Sequence, residues 1–180
     1  MLAESDKVDF SGSVHAIHLS EDTYSFNCYF YSFDQPPPDG IGKILEFYQI
    51  WQRKYSQDYL PSWKDFSIGD FVGWHSNMRL IKCGEKFDKK DEVKIVGEKF
   101  KEYWGKKSLS ELIREGYPVS PATVKKFKEY LECLYANHYA ICKGTLPGLD
   151  ISVRPIWFID LPLSKNGVDI THVLGAIYPR

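Results

Sequence analysis

The sequence predicts an α+β domain in which an antiparallel sheet carries helices against one face and is preceded by a flanking helix. Three observations carry this expectation. From residue 41 to 55 the apolar residues Ile41, Ile44, Leu45, Tyr48, Trp51 and Tyr55 recur at intervals of three and four, the period of one helix face. Two strand-like runs follow at 77–83 and 92–97, and three more close the chain at 138–146, 151–161 and 168–178. Between the two groups lies a stretch broken by Gly105, Gly116 and the Pro118–Pro121 pair, which reads as three short helical pieces at 98–104, 108–115 and 121–135. The order is helix, two strands, helical crossover, then a three-stranded meander, and this favours antiparallel pairing with the helices on one side.

Residues 1–13 read as a largely polar segment, small enough to fray. Residues 14–33 alternate apolar and polar positions twice around a Ser-Glu-Asp break, so they read as two extended segments forming an arm. QPPPDG at 35–40 then stiffens the chain, because each proline removes a donor and restricts the residue before it. A boundary is placed there, with an N-terminal extension at 1–40 and a domain at 41–180. Asp39 is the expected cap of the first helix. LPSWKDFSIGDF at 60–71 reads as a linker with one short helix near 63–68. GEKFDKKD separates the strands of a hairpin, and Gly97 marks a sharp turn from strand into helix. Ser120 precedes Pro121 as an N-cap before a first-position proline. Val124, Phe127, Leu131 and Leu134 mark the buried side of that helix, with Lys125, Lys126 and Lys128 turned to water. PGLD and SKNG are the turns between the last strands.

Composition narrows the function. The chain has 180 residues, 43% hydrophobic and 16% aromatic, which suits one domain with a ring-rich core. Its 23 Lys+Arg against 24 Asp+Glu leave a formal charge of -1, so no global field recruits nucleic acid or an anionic membrane. Twelve of the eighteen lysines lie between Lys82 and Lys128, offset by eight acids. That face is read as solvated, since four of the five arginines lie elsewhere. The four cysteines are scattered without a CxxC pair, which favours a reducing compartment. No signal-peptide core or membrane-length apolar run is present, so a cytoplasmic protein is expected. The motifs of serine hydrolases, P-loop proteins, zinc proteases and dinucleotide-binding proteins are missing from the sequence, and no catalytic output is expected. His15 and His18 form HxxH, but in a strand they point to opposite faces, and no metal site is expected. His75 and His172 stand apart from any partner motif. Cys83, Cys133 and Cys142 read as small core residues.

The residues LPSWKDFSIGDF (60–71), VKIVGEKFKEYWGKKSL (93–109) and VLGAIYP (173–179) resemble the PAS domain family, in its small proteobacterial single-domain form. The resemblance spans about 44–179 and leaves the arm outside. It implies a five-stranded antiparallel sheet with helices on one face enclosing a small cavity, used by relatives to sense small molecules or contact proteins. Candidate cavity residues are Tyr103, Trp104, Phe127, Leu131, Trp157 and Arg154. Ile44, Tyr48, Trp51 and Tyr55 are the candidate surface for a homodimer or protein partner, unless that stripe meets the domain's own sheet. No cofactor is expected. Asn27-Cys28-Tyr29-Phe30 is similar to the flavin-adduct word of light sensors, but precedes the core and lacks the arginine. A haem sensor would need a histidine on the crossover, and 98–135 has none, leaving His138 at its end. The expected function is that of a bacterial signalling sensor or adaptor binding an unidentified small molecule, a protein, or both. The alternative is a constitutive interaction module with a filled core. An enzyme using Arg154 with His138 or His172 ranks third.

Overall fold

The structure, a computed structural model, describes residues 8–21, 24–83, 92–104, 115–116, 118–147 and 153–180. Its seven strands are β1 (His15–Glu21), β2 (Tyr24–Ser32), β3 (Met78–Lys82), β4 (Glu92–Val96), β5 (His138–Pro147), β6 (Val153–Ser164) and β7 (Ile170–Pro179). Among the described residues three α-helices accompany them: α1 (Ile44–Gln52), α2 (Glu98–Trp104) and α3 (Pro121–Tyr135). All strands join one antiparallel sheet in the order β1-β2-β5-β6-β7-β3-β4.

This corrects the expected fold class in two respects: the sheet has seven strands rather than five, and it is covered on both faces rather than one. The first correction comes from β1 and β2. Their hairpin does not stand apart as an arm; β2 pairs with β5 from Ser25↔Thr145 to Ser32↔His138 and satisfies backbone groups that would otherwise form an open edge. The second comes from strands that are apolar at successive positions, as sheets buried on both faces require. Along β6, Trp157, Ile159, Leu161 and Leu163 join one core, while Ile156 and Phe158 join the other. α1 lays Ile44, Phe47, Tyr48 and Trp51 on the first face. On the second, α2 contributes Phe100, and α3 contributes Tyr130 and Leu134.

Locally the sequence signals hold at several points. Ser120 accepts from the Thr123 N–H at 3.1 Å, with Pro121 opening α3. α1 is capped differently from expectation: its N-cap is Lys43 without a side-chain hydrogen bond, so Asp39 plays no such part. The 60–71 segment forms two short 3-10 turns, Trp63–Asp65 and Ile68–Phe71, each closed by a reciprocal Ser–Asp capping box. Gly97 does separate β4 from α2, yet its backbone is not left-handed. Glycine is needed there for room, because a Cβ would collide with the carbonyl oxygens of His75 and Ser76. Apart from Glu115, the helix expected at 108–115 lies outside the described residues, as do all of GEKFDKKD and all of PGLD but Pro147.

The α1 side holds a hydroxyl without a partner among the described residues. Tyr31 is 2% exposed and stacks on Tyr139 at 5.5 Å, but its Oη has no hydrogen-bond partner there. Burial pushes its phenol up to about 12. Tyr31→Phe removes a desolvated polar atom that gains nothing in the fold, so its unfolding free energy should equal the wild type's or exceed it by up to ~1 kcal/mol. A loss above 1 kcal/mol in urea unfolding would contradict the unsatisfied hydroxyl.

Candidate functional site

The α2–α3 side of the sheet holds a buried charge pair assembled by strand register. Arg79 on β3 lies opposite Gly175 on β7, and Gly175 lies opposite Asp160 on β6. The two charged residues therefore flank a glycine in one row, and their side chains meet above it. Arg79 Nη2 donates to both Asp160 oxygens, at 3.3 and 3.2 Å, and the side chains keep only 11% and 3% of their surface in solvent. From α3, the Tyr130 hydroxyl donates to Asp160 Oδ2 at 2.9 Å. The guanidinium carbon sits 5.0, 5.3 and 5.0 Å from the ring centres of Phe100, Trp104 and Phe158. This is an aromatic surround that favours a cation. Arg79 Nε is buried with no hydrogen-bond partner among the described residues.

Burial raises the Asp160 carboxyl above its ordinary value, while Arg79 and Tyr130 pull the other way. Burial and the neighbouring Asp160 hold the Tyr130 phenol well above its own. One row further along, Cys28 pairs with Cys142, and Cys142 Sγ reaches Tyr130 Oη at 4.0 Å. Its thiol is likewise raised, first by burial and then by Cys28. Tyr130 and Cys142 thus stay protonated at neutral pH, which suits hydrogen bonding rather than nucleophilic attack. Gly175 is the enabling residue, since a Cβ there would lie 2.6 Å from Asp160 Oδ1 and 3.0 Å from Arg79 Nε. Gly175→Ala should lower unfolding free energy by about 1–3 kcal/mol through overpacking. Chemical denaturation measures it, and an unchanged midpoint would remove the pair from above this glycine.

Four of the expected cavity residues share this side. Tyr103, Trp104 and Leu131 pack against its core, and Phe127 stacks on Tyr130 with ring centres 6.5 Å apart. Trp157 belongs to the opposite face, where it meets Phe10 at 6.0 Å and lies under the Arg180 guanidinium at 5.7 Å. Arg154 pairs with Leu146 in the register, and its side chain lies outside the described residues. Of the stripe assigned to a partner, Ile44, Tyr48 and Trp51 are buried against the chain's own sheet, and Tyr55 is half-buried beyond the helix end. Arg79 and Asp160 had no part in the sequence reading. The available signal was one charge flanked by apolar residues in each strand, MRLI and WFIDLPL.

Among the described residues no group of three or more His, Cys, Asp or Glu side chains could hold a metal ion, and no helix is long and apolar enough to cross a membrane. His15 and His18 are exposed on β1, and His18 Nδ1 bonds Asn27 Oδ1 at 3.0 Å. His75 Nε2 donates to the Ile68 carbonyl at 3.0 Å. Partial burial and the nearby Lys165, Lys82 and Lys94 lower the pKa of His172. The unfolded chain then takes up that proton first as pH falls below ~6.5, the ordinary histidine value. Stability from this residue is present above that pH and declines below it, until the folded imidazole also protonates. His172→Asn should flatten the fall in urea midpoint between about pH 6.5 and 5; an identical profile would exclude His172 as its source.

No protein-family model, curated protein or solved structure matches this chain.

Proposed function

We propose that this chain is a non-catalytic signalling module that binds a small molecule between the sheet and helices α2 and α3 and transmits the change to a protein partner. The observation that carries this reading is the Arg79 guanidinium, buried within three rings and fixed by Asp160, directly beneath the two helices that close this side. A ligand carboxylate presented there competes with Asp160 for the cation. Asp160 and Tyr130 are hydrogen-bonded, so displacement of the carboxylate reaches α3 through the Tyr130 hydroxyl. A ligand shifts such an equilibrium only by its differential affinity for the two packings. Four free cysteines, Cys28, Cys83, Cys133 and Cys142, suit the cytoplasm.

Native mass spectrometry of the purified protein, beside its denatured mass and absorption spectrum, tests this directly. A retained ligand appears as mass lost on denaturation. Should the protein emerge empty, thermal-shift titration with small mono- and dicarboxylates takes its place, since a ligand at 100 times its Kd adds about 2.7 kcal/mol of stability. An empty protein that no carboxylate stabilises would favour the second reading, a constitutive interaction module. Tyr48, Trp51 and Tyr139 filling the α1 side are the observation behind that alternative.

A further inference from the structure

At one end of the sheet, on the α1 side, four segments converge on an open cleft of about 520 Å³. That volume falls within the ~300–1,000 Å³ of small-molecule sites. The segments are residues 32–34 at the end of β2, the turn at 55–60, the α3–β5 junction at 136–138, and the β6–β7 turn at 167–168. The walls are braced. Ser56 and Tyr59 exchange backbone hydrogen bonds of 3.1 and 3.0 Å, which places Asp58 at the tip of a tight turn. The Leu60 N–H donates to the Gly167 carbonyl at 2.8 Å, and the Tyr59 ring lies so close over Gly167 that a Cβ there would come within 2.7 Å of it. Phe33 meets Tyr55 edge-on at 5.7 Å, and Tyr55 stacks on the buried Trp51 at 5.0 Å.

The cleft's chemistry is one-sided. Asp34 and Asp58 line it, and neither carboxylate has an ion-pair or hydrogen-bond partner among the described residues. No lysine or arginine is among its lining residues. Burial, Asp34 and Asp58, in that order, raise the Tyr55 phenol, so both carboxylates act on that ring. His138 also lines the cleft, its Nδ1 donating to the Cys133 carbonyl at 3.0 Å. Negative charge, acceptors and electron-rich ring faces together select a cation bearing N–H donors.

We propose that this cleft binds a small organic amine, its ammonium group held between Asp34 and Asp58 and its apolar body against Phe33 and Tyr55. The site is separate from the Arg79 site, which lies on the opposite face of the sheet and attracts the opposite charge.

The test titrates the ¹⁵N-labelled full chain with benzylamine and, separately, with benzyl alcohol, the neutral molecule of the same shape. Benzylamine should shift the amides of residues 32–34, 57–60 and 137–138 at millimolar concentration, with benzyl alcohol at least about tenfold weaker. D34N/D58N should keep the wild-type melting temperature, because both side chains are exposed, and should weaken benzylamine about tenfold or more. If the double variant melts early, D34N and D58N are titrated singly, and each should weaken binding. Equal binding of the amine and the alcohol, unchanged binding by the folded variants, or no shift at these amides would each overturn the proposal.

Discussion

Asp160→Ala should lower the unfolding free energy by about 3–5 kcal/mol, the cost of removing one member of a buried ion pair. The loss is large because of what remains. Arg79 keeps its charge among Phe100, Trp104 and Phe158 with no anion beside it, and the Tyr130 hydroxyl loses its acceptor. The cost is one of orphaned partners rather than of lost attraction. The double variant Arg79→Met/Asp160→Leu removes both charges at similar volume and should recover most of the loss, since apolar replacement of a whole buried pair is often neutral or stabilising. Guanidinium unfolding of the two single variants and the double forms a cycle with a coupling energy of several kcal/mol. A loss for Asp160→Ala below about 1 kcal/mol would mean that water reaches the pair, and the buried-cation argument for ligand binding would fail with it.

The two members of that pair were invisible in sequence for a definite reason. Arg79 and Asp160 are eighty-one positions apart, and only the three-strand register through Gly175 brings them together. The elements themselves were far more legible. Turn residues and alternation placed β3 with β4 and the closing meander, and Ser120-Pro121 placed the start of α3. β1 and β2 were also readable as extended segments, but their seat was not, because the partner of Cys28 is Cys142 and nothing local encodes such a distant pairing. Face assignment failed for a related reason. Successive residues in a strand point to opposite sides, so Trp157 belongs with α1 while Phe158 belongs with Arg79. The continuous apolar run IWFI shows that both faces are covered, yet not which helix covers which. At Gly97 the position was right and the cause was not, since crowding by His75 and Ser76 comes from the loop that precedes β3.

Trp51→Ala should cost about 3–5 kcal/mol, at the level of the largest aromatic truncations in protein cores. The side chain is fully buried and lies within 6.4 Å, centre to centre, of the rings of Phe33, Tyr48, Tyr55 and Tyr139. Its indole N–H also donates to the Pro162 carbonyl at 2.9 Å. That bond has a structural origin. The β5–β6 ladder ends at Ala140↔Asp160, two residues short of Pro162. Proline lacks an N–H, and the indole supplies its buried carbonyl with a donor where the β5–β6 ladder has ended. Trp51→Phe keeps a six-membered ring but loses that donor and the rest of the indole, so it should cost less, about 1–3 kcal/mol. The same experiment separates a core residue from an interface one. Loss of an internal contact leaves the shift in unfolding midpoint independent of protein concentration, whereas loss of a subunit contact makes the shift depend on it. Equal shifts over a hundredfold concentration range are expected, because α1 has already found its partner surface in the sheet of its own chain.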